Sequence, residues 1–283
     1  MGRGLGKFKQ RARNGILVQV FKRYIDADGG TWSTKIAWNA LTGLIPIFLI
    51  AMTVIGVIVR NKNAEVQFVN HLSGLISDRA QRVQLVRFLR DQTASLALLT
   101  FAGLLWRGAS LFSAMDNGFA HVYRIKSRDF LPQKMMAMGM MMLFTVLLLP
   151  LLATSGLLGL LTRLDLGPAG IATPLIVALQ FLIGALDAAI MLTVIYKVVP
   201  NVKLRFSQVI RGGIFAGVLL EASTLLFPAY ISHQHSATFN NVFVLIIVLL
   251  GYFYLVGITC MLGACMNVVH AERVAKSRLS TVA

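Results

Sequence analysis

Acidic residues are scarce here: Asp and Glu number 11 against 27 Lys and Arg in 283 residues, a formal net charge of +16. Charged residues of both signs make up only 13% of the chain, about half of what a soluble domain carries. Two cysteines cannot form the framework of a disulfide-stapled secreted module. Five histidines include His233 and His235, with no carboxylate or cysteine near them in sequence, so no metal-ligand set is expected. Ser-His-Asp order, HExxH, a P-loop and a GxGxxG after a strand are all missing. Enzyme chemistry therefore has no foothold, and no cofactor is expected. What the chain has in quantity is apolar sequence: 57% of its residues are hydrophobic, which excludes a disordered or collagen-like chain.

The apolar residues gather into six runs long enough to cross a bilayer, which takes ~20 helical residues. They cover about 38–59, 94–119, 135–161, 171–196, 209–231 and 242–269. Buried soluble helices would need polar faces, and the third and sixth runs have almost none. The first run begins too late, and is too long, for a cleavable signal peptide. The expected fold class is all-α: a polytopic membrane protein of six transmembrane helices, with a basic segment 1–37, a membrane domain 38–269 and a tail 270–283.

Charge sets the expected orientation. Twenty of the 27 basic residues fall before the first run, after the last, or in the second–third and fourth–fifth connections, the former counted from Arg107 and the latter through Arg211. The other seven lie in the remaining connections. The asymmetry puts both termini in the cytoplasm. It also demotes the nucleic-acid partner that a sequence pI near 10.5 would otherwise suggest. Residues 5–24 interleave Leu5, Phe8, Ile16, Leu17, Val20, Phe21 and Tyr24 with basic residues, the pattern of a helix lying on anionic headgroups. A solvated basic tail is the alternative reading. Residues 65–92 carry Val66, Val69, Leu72, Ile76, Val83 and Val86 at helical spacing, and are expected to cap the outer face as amphipathic helix.

Ionisable groups at membrane depth are costly and mark pathways more often than glue. Arg107, Asp187 and Glu221 lie near the middle of the second, fourth and fifth runs, and their depths are similar at 1.5 Å per residue. A central polar site that binds an anionic headgroup or relays protons is one reading. A buried ion pair that only fixes helix register is the other. Pro46, Pro150, Pro174 and Pro228 fall inside apolar runs, where each removes a backbone hydrogen bond. Such breaks suit a bundle that bends around a cavity, although proline is also commoner in membrane helices generally. Gly213 and Gly217 form a small-xxx-small step for close helix packing. Cys260 and Cys265 read as small packing residues, and Met135, Met136, Met138, Met140, Met141 and Met142 as lipid-facing filler.

Several stretches, in order, resemble the YihY/virulence factor BrkB family of bacterial inner-membrane proteins. They are Leu44-Ile45-Pro46-Ile47, Leu111 to Asp116 leading to Val122-Tyr123-Arg124, and Tyr196 through Pro200-Asn201 to Lys203. Gly213 to Tyr230 with Glu221, and Leu262-Gly263-Ala264, complete the match, which runs from about Tyr24 to Val269. Two positions depart from the family pattern: Cys265 replaces a usual Glu, and Ala120 a usual Asn. The resemblance implies a multi-pass protein of the bacterial plasma membrane, linked to envelope integrity and moving a lipid or other solute. Some members have carried a ribonuclease label, which nothing in this sequence supports. The expected partners are the bilayer, its anionic headgroups, an unidentified solute or lipid, and a second copy of the chain. A membrane scaffold that transports nothing is the alternative, acting through residues 1–24 or 65–92.

Overall fold

The computed structural model describes residues 15–58, 106–144, 169–233 and 242–282, with the single residues 80, 83, 84 and 103. Among the described residues every regular element is a helix. These are α1 (Ile16–Asp26), α2 (Gly29–Ile58), α3 (106–123), α4 (130–144), α5 (Ala169–Val198), α6 (Phe206–His233) and α7 (Val242–Val282).

The composition of each helix face shows what surrounds it. On α5, Ala185, Ala188, Ala189, Leu192, Ile195 and Tyr196 are buried, while Leu179, Leu182, Leu186 and Ile190 stand exposed along one stripe. A helix apolar on its outer face as well as its inner one has hydrocarbon, not water, as its solvent. Three described stretches, Ala178–Val198, Phe206–Phe227 and Phe243–Ser280, are long and apolar enough to cross a membrane. α1 is built differently. Val20 is buried and Arg23 reaches into the bundle, while Leu17, Phe21 and Ile25 are each about 60% exposed. Their i, i+4, i+8 spacing makes an apolar stripe facing outward from a docked helix.

Small residues let the long helices approach. A Cβ at Gly217 would stand 2.6 Å from the Ala189 nitrogen, and one at Gly213 would stand 3.0 Å from the Ala189 carbonyl oxygen and meet Thr193 Oγ1. Position 217 therefore faces 189 and 213 faces 193, so α5 and α6 run antiparallel. Between α6 and α7, the Gly212 N–H donates to Asn267 Oδ1 at 2.7 Å, and Thr224 Oγ1 lies 3.1 Å from the Tyr252 hydroxyl. These helices are antiparallel too. The Tyr196 hydroxyl donates to the Cys260 carbonyl at 2.8 Å and packs over Gly263.

The helix ends are closed with care. α3 stops in a Schellman arrangement: the Ile125 N–H bonds the Ala120 carbonyl at 2.9 Å and the Arg124 N–H bonds that of His121 at 3.3 Å. Arg124 holds the left-handed position (φ 55°) that usually falls to glycine. The Arg23 guanidinium then takes the Val122 carbonyl through Nε (3.0 Å) and Nη2 (2.8 Å), one of the carbonyls a helix end leaves unpaired.

Several limits differ from the sequence reading. α2 starts nine residues before the expected first span, because the polar residues after Asp28 are helical: the Trp32 N–H bonds the Asp28 carbonyl. α7 continues thirteen residues past 269, since the tail opens on Ala271-Glu272-Arg273-Val274-Ala275-Lys276, good helix formers without Gly or Pro. His233 is the last residue of α6 instead of lying in a loop. The methionine run is divided: Met135, Met138 and Met142 are exposed, whereas Met140 is buried and Met141 packs on Gly108. The helices continue through Pro46, Pro174 and Pro228. Most of 65–92, residues 1–14, Pro150 and His235 lie outside the described residues.

Candidate functional site

One end of the bundle brings together α1, the C-terminal ends of α3, α5 and α7, and the N-terminal ends of α4 and α6. Its centre is Asp116, which is fully buried. Arg128 Nη1 donates to Asp116 Oδ1 at 2.9 Å, and Gln133 Nε2 donates to Oδ2 at 2.9 Å and to Asn117 Oδ1 at 3.0 Å. The same guanidinium reaches α5, donating to the carbonyls of Val199, Val198 (3.2 Å) and Pro200 (3.4 Å). Asp116 is thus a buried charge whose partner also caps the end of α5. Such a charge is tolerated only when paired and hydrogen-bonded. Asn201 donates to the Lys126 carbonyl at 3.4 Å, and the rings of Phe119 and Tyr196 meet edge to face with centroids 5.5 Å apart.

Beside this network is a cavity of about 170 Å³ with Arg23, Tyr123, Gln208, Asn267 and Glu272 in its walls. Two shielded polar groups face it, Tyr123 Oη and Asn267 Nδ2, and among the described residues neither has a partner other than each other. Asn267 is 2% exposed. Burial pushes the Tyr123 phenol well above its ordinary pKa, so it stays a neutral donor. Arg23 is held between the Val122 carbonyl and Glu272, 3.5 Å away.

The motif positions Asp116, Tyr123, Tyr196, Pro200, Asn201, Gly213 and Gly263, scattered over 148 residues of sequence, therefore meet around this end. Pro46 and Tyr230 lie on α2 and α6 where only the backbone is described. Cys265 and Ala120, which depart from the family pattern, are both buried.

The three intramembrane charges sit deeper. The Glu221 carboxylate covers the bare Cα of Gly184, where a Cβ would lie 2.6 Å from both carboxylate oxygens. With 217 facing 189, Asp187 lies within one turn of Glu221 along the α5–α6 seam. Asp187 Oδ2 is shielded and has no hydrogen-bond partner among the described residues. Arg107 lies on α3, twelve residues before the Phe119–Tyr196 contact, and Asp187 lies nine before it on α5. The corresponding depths are ~18 and ~14 Å, so the two are at similar levels. No ion pair joins Arg107 to either carboxylate among the described residues.

Sequence reasoning passed over Arg23, Arg128, Gln133, Gln208 and Asn267. Arg23 and Arg128 entered it only as topology-setting charges. Asn267 had a usable signal, an uncharged amide inside an apolar run.

Among the described residues no group of three or more His, Cys, Asp or Glu side chains could hold a metal ion.

Helices apolar on both faces, joined by small-residue seams and closed at one end by a buried polar network, define a helical membrane protein. The particular family follows from comparison: residues 20–281 match the model described as Virulence factor BrkB, and the chain belongs to that family. A Bacillus subtilis protein named as ribonuclease-like, YfkH, is 25% identical over 269 residues, covering 91% of this chain and 96% of its own. A UPF0761 membrane protein of Chlorobium phaeobacteroides is 27% identical over 74% of this chain, and one of Chromobacterium violaceum is 26% identical over 72%. This chain spans 46% and 49% of the lengths of those two relatives. No solved structure matches the chain.

Proposed function

We propose that this chain is a six-span protein of the bacterial plasma membrane, with both termini cytoplasmic, that moves a lipid or other solute across the bilayer without enzyme chemistry or a cofactor. The observation that carries the reading is the α5–α6 seam. Two carboxylates, Glu221 and Asp187, lie within one turn of each other along the helix axes, in middle stretches of α5 and α6 that are otherwise apolar. A carboxylate at that depth is expensive, and a register device needs only one polar partner. Two acids with an arginine at a similar level suit a group that binds a charged solute or exchanges protons.

Proteoliposomes holding purified protein and a fluorescent phosphatidylglycerol test this through dithionite accessibility. Wild type should speed transbilayer movement of the probe, and Glu221→Gln and Asp187→Asn should each slow it at least tenfold with reconstitution unchanged. Equal flux in wild type and variants would contradict the role given to the seam. Flux no faster than in empty vesicles would remove phosphatidylglycerol as the cargo. A scaffold is the second reading, supported by the outward apolar stripe of α1. It predicts that function survives both neutralisations and is lost when residues 1–24 are deleted.

A further inference from the structure

The mouth of the bundle end carries a second recess, of about 250 Å³, next to the cavity of Tyr123 and Asn267 and sharing Gln208 and Ala271 with it. Arg205, Arg211, Arg278 and His270 line it, and no carboxylate does. None of the three arginines is ion-paired with a carboxylate among the described residues. Three guanidinium groups lining one recess without a carboxylate among them repel one another. An anion supplied from outside relieves that repulsion, and guanidinium forks match phosphate oxygens in particular.

The backbone adds to this. Ser207 and Gln208, in the first turn of the 28-residue helix α6, line the recess; the Gln208 N–H is taken by the Arg205 carbonyl at 2.9 Å, and the helix N-terminus presents positive potential to an anion. The Gln208 side chain is already committed, because its Oε1 accepts the Arg205 N–H at 2.7 Å. Arg211 donates to the His270 ring at 2.8 Å. The adjoining cavity supplies what a bare basic patch lacks. Asn267 is nine-tenths buried, spends its Oδ1 on the Gly212 N–H, and among the described residues its amide N–H₂ in the cavity wall has only the Tyr123 hydroxyl beside it.

We propose that this cleft is a binding site for a phosphate group, held by Arg205, Arg211, Arg278 and the N-terminus of α6, with the ligand's further oxygens reaching the Asn267 amide and the Tyr123 hydroxyl. The site goes beyond the transport reading and does not depend on it, because binding is measured without flux. A phospholipid headgroup and a free phosphate ester share the chemistry.

The full chain in a neutral maltoside detergent is titrated by calorimetry with soluble dihexanoyl phosphatidylglycerol and, separately, with inorganic phosphate. Binding that weakens with salt, and falls at least tenfold in the exposed pair Arg205→Gln/Arg278→Gln, is expected. Asn267→Asp keeps the acceptor for Gly212 while replacing the donor with an acceptor, and should weaken binding by a similar factor. Thermal melting of each variant checks its fold. Saturable binding of phosphatidylglycerol that phosphate does not displace assigns the lipid headgroup. Equal binding of inorganic phosphate assigns a free phosphate ester. No binding of either probe, or unchanged affinity in a folded Arg205→Gln/Arg278→Gln variant, would overturn the proposal.

Discussion

Asp116 shows how one side chain can organise the end of a bundle. It is fully buried and accepts from Arg128 and Gln133, and Arg128 also holds three carbonyls at the end of α5. Removing the carboxylate strands a guanidinium whose side chain is only 19% exposed, a change that costs about 3–5 kcal/mol when a buried pair is broken from one side. Asp116→Ala should therefore lower the stability of the detergent-purified protein by that order, measured by chemical denaturation, whereas Asp129→Ala should change it little. Asp129 pairs with Lys126 at 3.7 Å, both more than four-fifths exposed, and exposed pairs add almost nothing. Sequence reading placed Asp116 in a motif near the end of a span. It could not supply the partner, because Arg128 lies twelve residues on, across a turn whose geometry depends on Arg124 adopting a left-handed backbone.

At the scale of elements, small residues set how closely helices approach. Gly217 faces the Ala189 backbone, so Gly217→Val forces α5 and α6 apart and should cost about 1–3 kcal/mol as overpacking does. Gly251 on α7 has nothing within 4 Å of an added Cβ, so Gly251→Ala should be neutral or gain up to about 1 kcal/mol from helix propensity. Melting temperatures of the two variants in one detergent check the contrast. The small-xxx-small step at Gly213 and Gly217 was readable from spacing alone. The helix facing it was not, since the contact with Ala189 and Thr193 is tertiary. Helix positions were readable to within a few residues for α5 and α6, because apolar runs of ~20 residues are a strong signal. The helical tail of α7 was missed because hydropathy ends at 269 while helix propensity does not.

For the whole molecule, the excess of basic residues has more than one use. Arg23 and Arg128 serve inside the bundle as helix-end donors, and Arg205, Arg211 and Arg278 line one recess. Counting charge could locate all five on one side of the membrane and could not separate these tasks, since each depends on neighbours from distant parts of the chain. The account as a whole turns on that side being the cytoplasm. Cys260 and Cys265 are free and buried, so a Cys260→Ala/Cys265→Ala background can carry single reporters for a membrane-impermeant maleimide. Asn201→Cys, at the exposed edge of the polar network, should label only after cells are permeabilised, and His235→Cys should label in intact cells. Labelling of Asn201→Cys in intact cells, with His235→Cys protected, would contradict the assignment.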